Sequence, residues 1–121
     1  MPLLLKTYWQ YCMRLIELNP EFLKWIDDAN FKTVNSVKEA DGIWFVCPLC
    51  YKNNKNSVIG THYVVCWCPN VPQTTSPIPG RWKINGNDFN DLTLIAGSSS
   101  VLLTIGCKAH FFITNGEIIF C

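Results

Sequence analysis

Cys47-Pro48-Leu49-Cys50 in the middle of the chain and Cys107-Lys108-Ala109-His110 near its end constrain the fold more than anything else in the sequence. Two ligand-type side chains separated by two residues can both aim at one ion from a tight turn. Two such turns supply the four soft nitrogen and sulfur donors that tetrahedral zinc prefers. A chain built this way must bring its middle and its C-terminal end together. Each pair also adjoins an apolar run, the first after Ile43-Trp44-Phe45-Val46 and the second before Phe111-Phe112-Ile113-Thr114, so both turns are expected at one end of a β structure. The plainer reading treats Cys47 and Cys50 as small buried apolar residues and His110 as an ordinary histidine. A competing ligand set uses Cys66-Trp67-Cys68. Residues two apart in a strand carry side chains about 7 Å apart, an awkward bite for one ion unless the strand bulges. The expected zinc ligands are therefore Cys47, Cys50, Cys107 and His110, with Cys66 and Cys68 in the core or flanking the site.

The seven cysteines are an odd number in 121 residues, so they cannot all pair within one molecule, and metal ligation in a reducing compartment is the expectation. Ten Lys plus Arg against nine Asp plus Glu leave a net charge of +1 without charge runs, which argues against a phosphate backbone as the partner. At 49% hydrophobic and 16% charged, the chain is expected to fold as one domain. Lys6 interrupts the apolar opening at Leu3, Leu4 and Leu5, which does not fit a signal peptide, and no later run reaches the roughly 18 apolar residues of a spanning helix. The expectation is a soluble protein without a membrane.

Asn19-Pro20 reads as a capped helix start, with Phe22, Leu23 and Trp25 forming a short apolar face. Ser36 with Glu39 forms a capping box, and Gly42 can close that second short helix. From there on, residues 43–46, 61–67, 81–84, 92–95, 101–105, 111–114 and 117–120 are short β-branched or aromatic runs that read as strands. Asn115-Gly116 between the last two tolerates the positive φ of a type I′ turn and predicts a β-hairpin. The Pro-punctuated stretch 69–80 reads as a surface loop. The fold class is mainly β: a small antiparallel β domain with two zinc knuckles, zinc-ribbon-like or a two-sheet zinc clamp, and short peripheral helices.

Catalysis is the alternative. It would place His62 with Cys66, Asp88 or Asp91 beside an open metal position, where one of them could act as general base. The patterns of zinc deaminases and of His-Glu-x-x-His proteases are missing. His62 and Cys66, four apart in a strand, stand about 13 Å apart along the chain. Asn87-Asp88-Phe89-Asn90-Asp91 lacks the spacing of a calcium loop and reads as a polar turn, and Gly97-Ser98-Ser99-Ser100 reads as a connection. Trp44, Trp67 and Trp82 could wall a ligand pocket between sheets, as in zinc clamps of the methionine sulfoxide reductase B type; their simpler role is core packing. No catalytic residue is assigned.

The segments Leu15-Ile16-Glu17-Leu18-Asn19-Pro20-Glu21-Phe22, Asp41-Gly42-Ile43-Trp44-Phe45-Val46-Cys47-Pro48-Leu49-Cys50, Gly60-Thr61-His62, Pro79-Gly80-Arg81-Trp82, Asp91-Leu92-Thr93-Leu94, Gly106-Cys107-Lys108-Ala109-His110-Phe111 and Thr114-Asn115-Gly116-Glu117 occur here in that order. Together they resemble a family of small proteins encoded by tailed bacteriophages and prophages, with no established biochemical function. The resemblance runs from about Met13 to Glu117, with Gly-Cys-x-x-His-Phe and Thr-Asn-Gly-Glu as its most specific parts. It implies structural Zn2+ on the paired Cys and Cys-His turns, an accessory role in the cytoplasm of a bacterial host, and an unidentified host or phage protein as partner. Members of that family begin near Met13, which implies a zinc-binding domain over 13–121 preceded by an N-terminal extension over 1–12 that arises from a mis-set start codon. That extension, with Tyr8, Trp9 and Tyr11, would otherwise be an apolar arm in need of a partner surface.

Overall fold

The computed structural model describes residues 13–95, 100–103 and 107–120. Ten strands and one α-helix are found among them: β1 (Met13–Arg14), β2 (Glu21–Asp27), β3 (Asn30–Val34), β4 (Gly42–Val46), α1 (Pro48–Asn53), β5 (Tyr63–Trp67), β6 (Lys83–Asn85), β7 (Thr93–Ile95), β8 (Ser100–Leu102), β9 (His110–Thr114) and β10 (Glu117–Phe120). They form an antiparallel sheet of order β1-β10-β9-β8, a second of order β3-β2-β4-β5, and a β6-β7 ribbon. The expected mainly β, antiparallel class is the one observed. No described helix is long and apolar enough to cross a membrane.

Strand alternation explains how the two sheets meet. In the second sheet the cross-strand partners Phe22, Ile43 and Cys66, and next to them Phe45 and Val64, share one face. In the first sheet Met13, Ile118 and Ile113 share a face with Phe111 and Val101. These two faces bury the main core, with Phe45 and Phe111 meeting edge to face at 6.0 Å between ring centroids. Leu92 and Leu94 join the same core.

The opposite face of the second sheet is also covered. Leu23 and Trp67 pack there against Val71, with Trp25, Trp44 and Val65 alongside. The Trp67 ring lies against Gly42, where an added Cβ would stand 2.7 Å from the indole. Gly42 therefore serves close packing inside a strand instead of ending a helix. The 69–80 segment is a loop, as its prolines predict, and one side chain organises it. Arg81 donates from Nε to Val71 O (3.0 Å), from Nη1 to Pro77 O (2.7 Å) and Gly80 O (2.8 Å), and from Nη2 to Pro72 O (2.6 Å) and Thr75 O (2.8 Å). Trp44 and Trp82 are half-buried and Trp67 is buried, in keeping with packing roles.

Two helical expectations need correction. Residues 21–26 are strand β2. Leu15–Leu18 form a 3-10 turn that ends at Asn19 in the left-handed region (φ 51°), so Asn19 closes a turn instead of capping a helix, and the chain leaves it extended. Phe22 and Leu23 then bury on opposite faces, which a strand allows and a one-sided helix does not. After Ser36 there is a single 3-10 turn, Val37–Glu39, with Ser36 Oγ donating to Glu39 Oε2 at 3.0 Å. The chain forms a helix instead at Pro48–Asn53, where proline occupies the first turn.

The C-terminal hairpin follows its sequence. Asn115 (φ 51°) and Gly116 (φ 76°) both take positive φ, and Glu117 pairs with Thr114. Gly116 N donates to Leu92 O and Gly116 O accepts from Leu15 N, both at 2.8 Å, and the Asn90 carbonyl fills the space a side chain would need. Gly116→Ala is expected to cost more than the ~1–2 kcal/mol of a left-handed non-glycine residue, read as a lower urea midpoint. The Asn87–Asp91 stretch is the polar turn its sequence predicts, with Asp91 Oδ1 accepting from Asn87 N (2.8 Å) and Asp88 N (3.0 Å). Those bonds hold the Asp91 carboxyl below its usual pKa. Residues 104–105 of the expected strand 101–105, the serine-rich connection over 97–99 and the extension over 1–12 lie outside the described residues.

Candidate metal centre

The last residue pair of β4 and β5 is Val46 with Tyr63, and one step further Cys47 N donates to His62 O at 2.8 Å. This step of the ladder sets Cys47 and His62 side by side. Beyond Cys47 the chain turns into α1, which carries Cys50 in its first turn. From the other sheet, the turn ahead of β9 brings in Cys107, with Lys108 in the left-handed region (φ 55°) and Leu103 N bonded to Ala109 O at 2.8 Å. The ligand atoms of Cys47, Cys50, His62 and Cys107 all lie within 4.8 Å of one another. Cys47 Sγ and His62 Nε2 are each 3.4 Å from Cys107 Sγ.

Three sulfurs and one imidazole nitrogen, drawn from three separate parts of the chain, match a tetrahedral donor set. With metal-sulfur bonds of ~2.3 Å the edges of such a tetrahedron measure ~3.8 Å, inside the observed range of separations. These residues lie close enough to hold a metal ion. Cys47 is buried, Cys50 and Cys107 are half-buried, and His62 is exposed. His62 also borders a groove of about 510 Å³ with Tyr63, Ile78 and Leu102.

The three thiols are not equivalent. Burial pushes Cys47 up to about 12, opposed by the backbone N–H groups of Cys50 and Leu49 and reinforced by Cys107. Burial and Cys107 also raise Cys50. Burial acts upward on Cys107 as well, but hydrogen bonding from His62, the Ala109 N–H and the other two cysteines outweighs it and brings Cys107 down to about 7. The lowering favours the thiolate form of Cys107, the form that ligates a metal.

Three of the four sequence-predicted ligands, Cys47, Cys50 and Cys107, are brought together. His110 is not in the group. It is the first residue of β9, exposed and opposite Leu102, and alternation puts it on the other face from buried Phe111. The Cys-x-x-His spacing implies a two-ended turn, but the strand begins before that turn can close on His110. His62 stands with the three cysteines instead. No spacing in the sequence marks it as a ligand, because its place beside Cys47 is created by the pairing of β4 with β5. Cys66 lies in the main core and Cys68 is buried, and burial raises both thiols, Cys68 to about 11. Neither joins the group. Asp88 and Asp91 belong to the polar turn.

Comparison with protein-family models, with curated proteins and with solved structures finds no match for this chain.

Proposed function

We propose that Cys47, Cys50, His62 and Cys107 hold one structural Zn2+ that clamps the two sheets of a non-enzymatic accessory or interaction module. The observation that carries this reading is the mutual distance of the four donors, all within 4.8 Å, contributed from just after β4, from helix α1, from just before β5 and from the turn ahead of β9 in the other sheet. Four protein ligands complete the coordination of zinc and leave no position for a reacting water, which is the pattern of structural sites. The soft sulfur-rich set favours zinc over hard cations. The resemblance to phage and prophage proteins extends the proposal to a role in the cytoplasm of a bacterial host, on a host or phage protein.

The catalytic alternative uses His62 as a base beside an open metal position. Here His62 Nε2 contacts Cys107 Sγ within the donor group, so it is better placed as a ligand. Elemental analysis is expected to find one zinc per chain. His62→Ala is expected to weaken zinc binding beyond the ~10–100-fold typical of changes around a site, whereas His110→Ala leaves it unchanged, in a competition titration with a chromophoric chelator. Absence of stoichiometric metal, or the reverse order of the two variants, overturns the reading.

A further inference from the structure

Cys47 Sγ and Cys107 Sγ touch at 3.4 Å across the seam between the sheets, although 60 positions separate them in sequence. Cys47 is buried, but Cys107 is half-buried and its neighbour His62 is exposed, so a small oxidant meets the pair at Cys107. Cys66 and Cys68 are buried away from it. Resting on the zinc reading above, we propose that Cys47 and Cys107 form a redox switch: a peroxide couples them to a disulfide, the ion leaves, and the covalent bond keeps the two sheets joined.

The chemistry balances in two steps. The zinc-bound Cys107 thiolate attacks hydrogen peroxide, an S–O bond forms as the O–O bond breaks, and the departing hydroxide takes a proton from solvent to become water. The Cys47 sulfur then attacks the Cys107 sulfenic acid. The S–S bond forms, the S–O bond breaks, and the hydroxyl leaves as hydroxide, which a second solvent proton converts to water while the zinc ion departs. The two thiolates give up two electrons, the peroxide accepts them, and two solvent protons complete the two waters. A disulfide sulfur is no longer a thiolate ligand, so only Cys50 and His62 remain, too few to retain zinc. The new bond links the same two points that the ion linked, closing a long loop, which is where a crosslink restrains the unfolded chain most.

The test uses the full chain with Cys12→Ser and Cys121→Ser, which removes the two cysteines outside the described residues. Zinc-loaded protein is titrated with hydrogen peroxide while a chromophoric chelator reports released metal, and the products are mapped by mass spectrometry. The expected result is one zinc released per chain, a 2 Da loss localised to a Cys47–Cys107 link, and recovery of zinc binding after dithiothreitol. The near-UV circular dichroism of the oxidised form stays folded, unlike that of reduced protein stripped of metal. Retention of zinc under excess peroxide, a Cys47–Cys50 link, or only sulfinic acid overturns the switch while leaving the zinc reading intact. A chain purified without stoichiometric zinc overturns both.

Discussion

Stripping the ion from the reduced protein with a chelator is expected to unfold it. Metal binding to such a site contributes on the order of 10 kcal/mol near pH 7, against a total of about 5–15 kcal/mol for a domain. The consequence follows from where the donors sit, because Cys47 and His62 extend one sheet and Cys107 belongs to the other. Cys47→Ser is expected to have the same effect, since it leaves a buried hydroxyl where a sulfur ligand stood. The checks are near-UV circular dichroism and the melting temperature with and without chelator; a melting curve that does not move contradicts the expectation. The pH dependence of metal binding follows from the same thiols. Cys47 and Cys50 are both raised, so they carry protons at pH 7 without metal and lose them on loading. Apparent zinc affinity therefore falls with falling pH, by about 100-fold per unit if two protons are displaced.

Phe45→Ala in the zinc-saturated protein is expected to cost about 3–5 kcal/mol, or roughly 10–20 °C in melting temperature. Phe45 is fully buried, sits in β4 two residues before Cys47, and meets Phe111 of the opposite sheet edge to face. Its removal leaves a void in the middle of the interface that neither sheet can fill without sliding. Ile59→Ala, at a residue 80% exposed, is the matched control and is expected to shift stability by less than about 0.5 kcal/mol. Similar losses for the two variants would show that the sheet interface is not where stability resides.

Much of the β architecture was legible because its strands carry local signals. The residues of β4, β9 and β10 alternate or run apolar between turn residues, and Asn115-Gly116 specifies its own turn. Glu21–Asp27 was not legible, because Asn19-Pro20 serves a helix start and a turn exit equally well, and only burial on two faces decides between them. Residues Asn30–Val34 are nearly all exposed, so no hydrophobic pattern announces β3; it exists because β2 offers a partner. At the metal centre, ligands close in sequence were visible as spacing. His62 was not, because its relation to Cys47 is created by strand pairing. Spacing also over-read His110, whose position depends on where β9 begins.

The adjacency of Cys47 and His62 across the β4-β5 ladder has a consequence for how the chain reaches its native pairing. Sliding one strand past the other by a single residue would turn alternate side chains to the wrong side of the sheet. It would also carry the imidazole away from the sulfur, leaving an incomplete cage. On the proposed metal-bound reading, mispaired chains cannot capture the cation, and correctly paired ones are drawn out of the mixture by it. An ion held there would act as a proofreader of alignment as well as a clasp.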